Sequence, residues 1–201
     1  KYNHEFASNV SHEFKTPLAT LRGTVDLLMV DTAMPSGQRT RFLENARTDL
    51  DRLDRMVGGL LDLARAETPS HRGSVDLNDV VTAVARRFPE IEVRHGTCLV
   101  DADRRQIEVA VGQLVENALQ HGGPTVRVEV ADRAILVTDD GPGISPAVLP
   151  RIFDRFFTTS TDRSGTGLGL AIVRAVARAH GGDVSVQSSG QGTVFRLSIG
   201  T

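Results

Sequence analysis

The chain has 201 residues, of which 40% are hydrophobic and 24% charged, proportions typical of a folded globular protein and not of a disordered tail. A formal net charge of −2 leaves no basic field for binding a phosphate backbone, so nucleic acid is not an expected partner. The single cysteine excludes an internal disulfide framework, and no apolar run reaches the roughly 18–20 residues that a membrane span needs.

Two amphipathic helices account for the first third of the chain. Apolar or small residues recur at alternating spacings of three and four along two seams: Ala7, Ser11, Phe14, Leu18, Leu21, Val25 and Leu28, then Leu43, Ala46, Leu50, Leu53, Val57, Leu60 and Ala64. Pro35 and Gly37 mark a helix stop and restart between them. The pattern predicts a helical hairpin. Because two helices cannot cover the wide apolar stripe of the second seam, we expect two copies to pair into a four-helix bundle.

Residues 68–73 break the helical pattern and predict a linker, which divides the chain into a hairpin of residues 1–67 and a second domain of residues 74–201. Helical periodicity returns near residues 78–87, 103–121 and 169–180. Strand patterns occupy residues 91–94, 97–100, 126–130, 134–138, 184–187 and 194–198. Helices and strands mix without strict alternation, which predicts an α+β two-layer sandwich.

His12 is the first residue whose surroundings point to chemistry. It falls just off the apolar seam, so it should face water. Glu13 is adjacent and can accept an imidazole N–H, while the Thr16 hydroxyl shares the histidine's face one turn later. A metalloprotease helix would need a second histidine where Thr16 stands, so that class is excluded. An exposed, oriented imidazole is a nucleophile.

Three further segments each indicate a ligand-binding role, but only weakly. Asn117 lies on a helix whose other face is apolar, and its amide oxygen suits Mg²⁺ carrying phosphates. Asp139 follows a strand and precedes Gly141 and Gly143, so it can reach a ligand amine while the backbone passes close by. The closely spaced glycines at residues 165–169 open a helix, where backbone N–H groups can meet phosphate. A surface asparagine and plain turns explain the same residues almost as well.

Taken together and in order, these segments resemble the catalytic core of a sensor histidine kinase of two-component signalling. Residues 12–18 resemble the H box of that family, and Asn117 stands at the metal-binding asparagine of its N box. The resemblance covers essentially the whole chain. Several motifs in the order and spacing of the family identify it much more specifically than any single motif does.

The remaining boxes complete the resemblance. Asp139, Gly141 and Gly143 resemble the G1 box with its adenine-reading aspartate, and residues 152–157 resemble the F box. The G2 box is matched by Gly165, Gly167, Leu168 and Gly169. Thr193 matches the threonine that supports the adenine site in the wider group of ATPases with this fold.

The resemblance implies an ATP- and Mg²⁺-dependent autokinase. Asp139 would bind the adenine amine, Asn117 would coordinate Mg²⁺, and a lid of roughly residues 145–166 would close over the triphosphate. His12, oriented or deprotonated by Glu13, would attack the γ-phosphorus. The phosphoryl group would then pass to an aspartate in the receiver domain of a response regulator. Thr16 matches the position that orients water when such kinases dephosphorylate the regulator.

Several residues depart from the family's pattern at positions where the resemblance implies a contact with the nucleotide. Gln113 stands where the family often has asparagine, and Gln120 stands where a basic residue often approaches the phosphates. Thr158 replaces an arginine that frequently follows the F box. We expect Arg155 or Arg163 to supply the missing positive charge.

Three alternatives stay open from the sequence. The core could act mainly as a response-regulator phosphatase, as an ATPase of the same fold without phosphotransfer, or as a non-enzymatic dimeric scaffold. The chain starts eleven residues before His12, so we expect a fragment that lies in the cytoplasm without touching the membrane, cut from a bacterial inner-membrane sensor.

Overall fold

The computed structural model describes residues 2–68, 71–159 and 165–200, which form two compact units. The first unit contains the helical hairpin up to Gly58. The second contains Gly59–Phe157 and the chain from Gly167 onward.

The first unit is built from two long helices, α1 (Tyr2–Val30) and α2 (Ser36–Ala66), as the two seams predict. Pro17 lies inside α1 and is buried, and the helix continues through it. Between the helices the Asp31 side chain accepts a hydrogen bond from the Ala33 backbone N–H (3.2 Å), which stabilises the turn. The predicted helical hairpin is confirmed.

Within one hairpin, buried residues such as Thr24, Asp49 and Met56 lie next to the predicted seams and not on them. A second set of large apolar side chains on both helices remains exposed: Leu18, Val25, Leu43, Leu50, Val57 and Leu61. Because exposed apolar residues at helical spacing form one stripe, the hairpin carries an apolar face that its own two helices do not cover.

The end of α2 belongs to the second unit, as do His71 and Arg72. The amide of Gln106 donates to the Arg65 carbonyl oxygen (2.8 Å), and the His71 backbone N–H donates to the Asp103 carboxylate (3.2 Å). Gly73 already belongs to a strand, β1 (Gly73–Asp76). By compactness the second unit starts at Gly59, within α2, whereas the predicted boundary after residue 67 marks the end of the apolar helical pattern.

The second unit is a two-layer α+β sandwich, as expected. Its main sheet has five strands in the order β2–β4–β5–β7–β6, in which β2 is parallel to β4 and the other pairs are antiparallel. These strands are β2 (Glu92–Arg94), β4 (Val126–Ala131), β5 (Ala134–Asp139), β6 (Val184–Ser189) and β7 (Gly192–Ser198). A small second sheet pairs β1 with β3 (Leu99–Ala102).

Three helices supply the second layer: α3 (Leu77–Ala85), α4 (Arg104–His121) and α5 (Gly169–Ala179). A short 3₁₀ turn covers Leu149–Arg151. Alternate residues of β4, β5 and β7 point toward the helices, and the core between the layers contains side chains such as Ile107, Leu114, Ile135, Phe195 and Leu197. Each such side chain contributes about 1.5–3 kcal/mol by leaving water.

Turn and cap chemistry fix the ends of these elements. Asp132 and Arg133 both have positive φ angles (48° and 56°), the two-residue turn predicted between β4 and β5. The Asp103 carboxylate caps α4 by accepting the backbone N–H groups of Arg105 and Gln106. The strand predicted at residues 97–100 lies instead at Leu99–Ala102, where it gains β1 as a partner. Within the described ranges no helix has the length and apolar character needed to cross a membrane.

Candidate functional site

The hairpin presents His12 on its exposed surface, as the seam predicts. Thr16 follows one turn later on α1, and its hydroxyl donates to the His12 backbone oxygen at 3.4 Å. Because the hydroxyl is tied to the helix backbone, it is held beside the histidine on the same face. The arrangement leaves the imidazole open to a reacting partner from solvent.

Glu13 does not lie where the sequence places it. Its carboxylate accepts a hydrogen bond from the Arg52 guanidinium across the hairpin, with an Oε2 to Nη2 distance of 3.0 Å. The expectation was a hydrogen bond to the neighbouring imidazole. Adjacent residues on a helix point about 100° apart, so a glutamate that reaches the facing helix is turned away from the preceding side chain.

In the second unit, β5 ends at Asp139, which is buried with 7% of its surface exposed. One carboxylate oxygen accepts the Gly141 backbone N–H at 2.9 Å, and this fixes the side chain. A Cβ on Gly141 would come within 2.6 Å of the Gly122 Cα, so a side chain there would displace the loop that follows α4. Asp139 therefore sits in a tight pocket of backbone at the junction of β5 and the α4 C-terminus.

Thr193 lies beside Asp139 in the sheet. The two residues are directly paired in the β5–β7 register, and Thr193 is buried. Its hydroxyl lies 3.0 Å from the Ser188 hydroxyl, which also accepts the Ile144 backbone N–H at 2.7 Å. This network joins the loop after Asp139 to β6 and β7. Ser188 was not predicted as a site residue. A signal that could have found it is its place in β6, where a polar residue continues the inward positions of Val184 and Val186.

Gly143 makes that close approach possible. It has a φ of +76°, and a Cβ there would lie 1.9 Å from the Ser189 carbonyl oxygen. A positive φ at this position disfavours any other residue, and the contact with β6 leaves no space for a side chain. The backbone conformation and the close packing thus require glycine at position 143, which distinguishes the first glycine-rich segment from an ordinary turn.

Asn117 lies on α4 between two positions at which this helix closely approaches the segments predicted to bind nucleotide. At Gln113, one turn before it, the side-chain oxygen would lie 2.4 Å from a Cβ on Gly169 at the start of α5. At Gly122, just after α4, a Cβ would lie 2.6 Å from the Asp139 Cβ. The half-buried Asn117 side chain therefore belongs to the region bounded by Asp139 and the start of α5.

The pKa values of two nearby carboxylates, Glu116 and Asp140, are shifted. The Glu116 side chain is 46% exposed; its partial desolvation raises its pKa, and the Arg87 guanidinium, 3.8 Å away, lowers it in part. A hydrogen bond from the Thr125 backbone N–H lowers the pKa of Asp140. Among the described residues no group of three or more histidine, cysteine, aspartate or glutamate side chains is arranged to hold a metal ion. A metal here would therefore depend on few protein ligands, such as the Asn117 amide, and on oxygens of a bound phosphate.

The second glycine-rich segment connects the F-box region to α5. Gly167 has a φ of +66°, and its carbonyl oxygen accepts the Phe156 backbone N–H at 2.7 Å. Gly169 begins α5, whose N-cap residue is Leu168, while Gly165 follows the undescribed residues 160–164. Arg163 and part of the predicted lid fall outside the described residues.

Two predicted nucleotide contacts have other partners in the structure. The Leu168 side chain is fully buried, and a Cβ on Gly59 would lie 3.0 Å from its Cδ1, so Leu168 can meet a ligand only through its backbone. Arg155 donates to the Glu67 carboxylate at 3.0 Å. Glu67 was not predicted because the sequence gives no signal that joins the end of α2 to the F box.

Two family models match the chain in the order of its two units. Residues 2–69 match the His Kinase A (phospho-acceptor) domain, and residues 102–200 match the histidine kinase-, DNA gyrase B- and HSP90-like ATPase domain. The first match disfavours an ATPase that lacks a phospho-acceptor hairpin.

Similar proteins agree with these matches. The signal transduction histidine-protein kinase AfsQ2 of Streptomyces coelicolor is 32% identical over 96% of this chain and 41% of its own length. The chain spans about half the length of the curated relatives it matches (36–56%). The solved structure of the mycobacterial sensor histidine kinase MprB is 30% identical, with a TM-score of 0.56 over 63% of this chain and 95% of that one. The histidine kinase ThkA, solved in complex with the response regulator protein TrrA, has the same fold, with a TM-score of 0.71 at 24% identity over 97% of this chain and 60% of that one.

Proposed function

Because the chain belongs to the sensor histidine kinases, we propose that it transfers the γ-phosphoryl group of ATP to His12 and then to an aspartate of a response regulator. The observation that carries the proposal is the exposed His12 in a hairpin that matches the phospho-acceptor domain, followed in one chain by the ATPase domain. We further propose a phosphotransfer hairpin of residues 1–67, a linker of residues 68–73 and a catalytic domain of residues 74–201.

Recognition of ATP starts at Asp139. One of its oxygens is engaged by the Gly141 N–H, so the other can accept the adenine amine. Thr193 and Ser188 hold the adjoining loop in place. Gly143 keeps that loop against β6, which makes room for the base. A base recognised through a fixed carboxylate favours adenine over guanine, because guanine presents a carbonyl oxygen where adenine has its amine.

The triphosphate would lie toward α4 and α5. Gly165, Gly167 and Gly169 would allow the backbone to approach the phosphates, and the N-terminus of α5 would present backbone N–H groups to them. Asn117 would hold Mg²⁺, which neutralises phosphate charge when bound. We propose that Arg155 contributes positive charge to the phosphates once it leaves Glu67.

At the hairpin, a neutral imidazole nitrogen of His12 forms a bond to the γ-phosphorus while the bond to the departing ADP oxygen breaks. Glu13 would orient the imidazole or take the proton from its other nitrogen. The phosphoryl–nitrogen bond is labile, which suits an intermediate that is handed to a carboxylate. Thr16 lies beside His12 on the surface that a receiver domain would meet.

We propose that the hairpin functions as a homodimer. Its exposed stripe, which includes Leu43, Leu50 and Val57, needs an apolar partner, and a second copy related by two-fold symmetry supplies one in a four-helix bundle. ThkA was solved with a response regulator, which supports a regulator as the acceptor protein here. We place this segment in the cytoplasm of a bacterium, where ATP is available, as part of a longer sensor protein.

Incubation with Mg²⁺ and γ-labelled ATP tests the proposal. We expect label that is lost in acid and retained in alkali, and none on the His12→Gln or Asn117→Ala variants. Addition of a receiver domain should then move the label from the chain to that protein. ATP hydrolysis without label on the native chain would instead indicate an ATPase that does not transfer phosphate to itself.

A further inference from the structure

Arg52 is a charged residue in the covered part of the hairpin. Only 14% of its side chain is exposed, whereas other arginines of the hairpin, such as Arg22 (87%), lie in solvent. Asp49, one turn earlier on α2, is buried as well. Arginine is seldom buried without a role, because removing its charge from water costs free energy that a partner must offset.

The partner of Arg52 is the carboxylate next to the proposed phosphorylation site. Arg52 Nη2 lies 3.0 Å from Glu13 Oε2, and the Glu13 side chain is 35% exposed. A charge-assisted bond of this length in a partly covered site holds the carboxylate more firmly than an ion pair in full solvent would. In this structure Glu13 is therefore held against α2.

From this contact we propose that Arg52 is a positioning residue that restrains Glu13 and thereby limits the rate at which His12 is phosphorylated. The inference rests on the proposed function. Glu13 serves His12 only when its carboxylate contacts the imidazole, and the position that reaches α2 is not the one that reaches the preceding side chain on α1. The two contacts compete for one carboxylate. Phosphorylation of His12 thus requires the Glu13–Arg52 bond to break. Arg52 therefore slows this reaction.

The Arg52→Gln variant tests this on the full chain with γ-labelled ATP. Loss of a partly exposed ion pair changes such an equilibrium by roughly two- to fivefold, so Arg52→Gln should accumulate phosphohistidine about two- to fivefold faster than the native chain. Arg52→Lys keeps the charge and should stay within about twofold of the native rate. Arg22→Gln removes an arginine from the same hairpin, one that lies 4.0 Å from Asp26, and should label at the native rate.

Acceleration is a result that a purely structural role cannot produce, because damage to the hairpin slows the reaction. The transfer of phosphate from labelled chain to a receiver domain does not need Glu13 to serve the imidazole, so its rate should be the same in Arg52→Gln and native protein. Arg52→Gln that keeps the native helical circular dichroism but labels at or below the native rate would overturn the inference. If Arg52→Gln does not fold, Arg52→Lys slower than native by more than twofold would do the same. Absence of label on the native chain would instead refute the proposed function itself.

Discussion

Replacement of Gly143 by alanine tests the structural basis of nucleotide recognition. The backbone at this residue has a φ of +76°, which costs an alanine about 1–2 kcal/mol. The new Cβ would also lie 1.9 Å from the Ser189 carbonyl oxygen, so the loop must move away from β6. That movement breaks the 2.7 Å bond between the Ile144 N–H and the Ser188 hydroxyl, worth about 0.5–1.5 kcal/mol.

The two effects together disfavour the observed loop conformation by about 1.5–3.5 kcal/mol. If ATP binds only this conformation, its dissociation constant rises by roughly 12- to 320-fold, since each 1.4 kcal/mol is a factor of ten. Isothermal titration with a non-hydrolysable ATP analogue measures this change. The control is Gly190→Ala, because a Cβ at Gly190, on the neighbouring hairpin, meets no atom within 4 Å. Binding by Gly143→Ala within threefold of Gly190→Ala would refute the reasoning.

Three other substitutions have defined outcomes. Asp139→Asn replaces the acceptor of the adenine amine by a group that also donates, so ATP affinity should fall at least tenfold in the same titration, with little change in melting temperature. Leu50→Asp places a charge on the exposed stripe of the hairpin and should convert dimers to monomers in analytical ultracentrifugation, whereas Leu99→Asp, also exposed but on β3, should not. Burial raises the pKa of Glu116, so its ionisation opposes folding above the unfolded value of about 4.5, and this penalty grows as pH rises through the folded pKa. Glu116→Gln should therefore raise the melting temperature at neutral pH and leave it unchanged below pH 4. An equal increase in melting temperature at the two pH values would contradict this pH dependence.

Much of the fold follows from periodicity and turn chemistry. The three–four spacing of apolar residues predicts both long helices, and Asp132–Arg133 between alternating segments predicts the β4–β5 hairpin. These signals come from residues close together in the chain, so they can be recognised in a single sequence. Strand β1 has only four residues and depends on pairing with β3, a non-local contact that composition does not reveal.

The same distinction holds for the site. Asp139, Asn117 and the glycines were predicted because each type of residue is chemically suited, within a short segment, to the task proposed for it. Contacts between distant segments could not be found in this way. The Arg52–Glu13 pair is separated by 39 residues and the Arg155–Glu67 pair by 88, and neither arginine stands in a motif that names its partner.

The central claim is that His12 is the phosphoryl acceptor, and locating the phosphoryl group tests it most directly. The native chain would be incubated with Mg²⁺ and ATP, digested at alkaline pH, and analysed by tandem mass spectrometry. We predict a phosphoryl group on the imidazole of His12 and on no other residue of that peptide, and no phosphorylated peptide from His12→Gln. Phosphate on Ser11 or Thr16, or phosphorylation that persists in His12→Gln, would contradict the account.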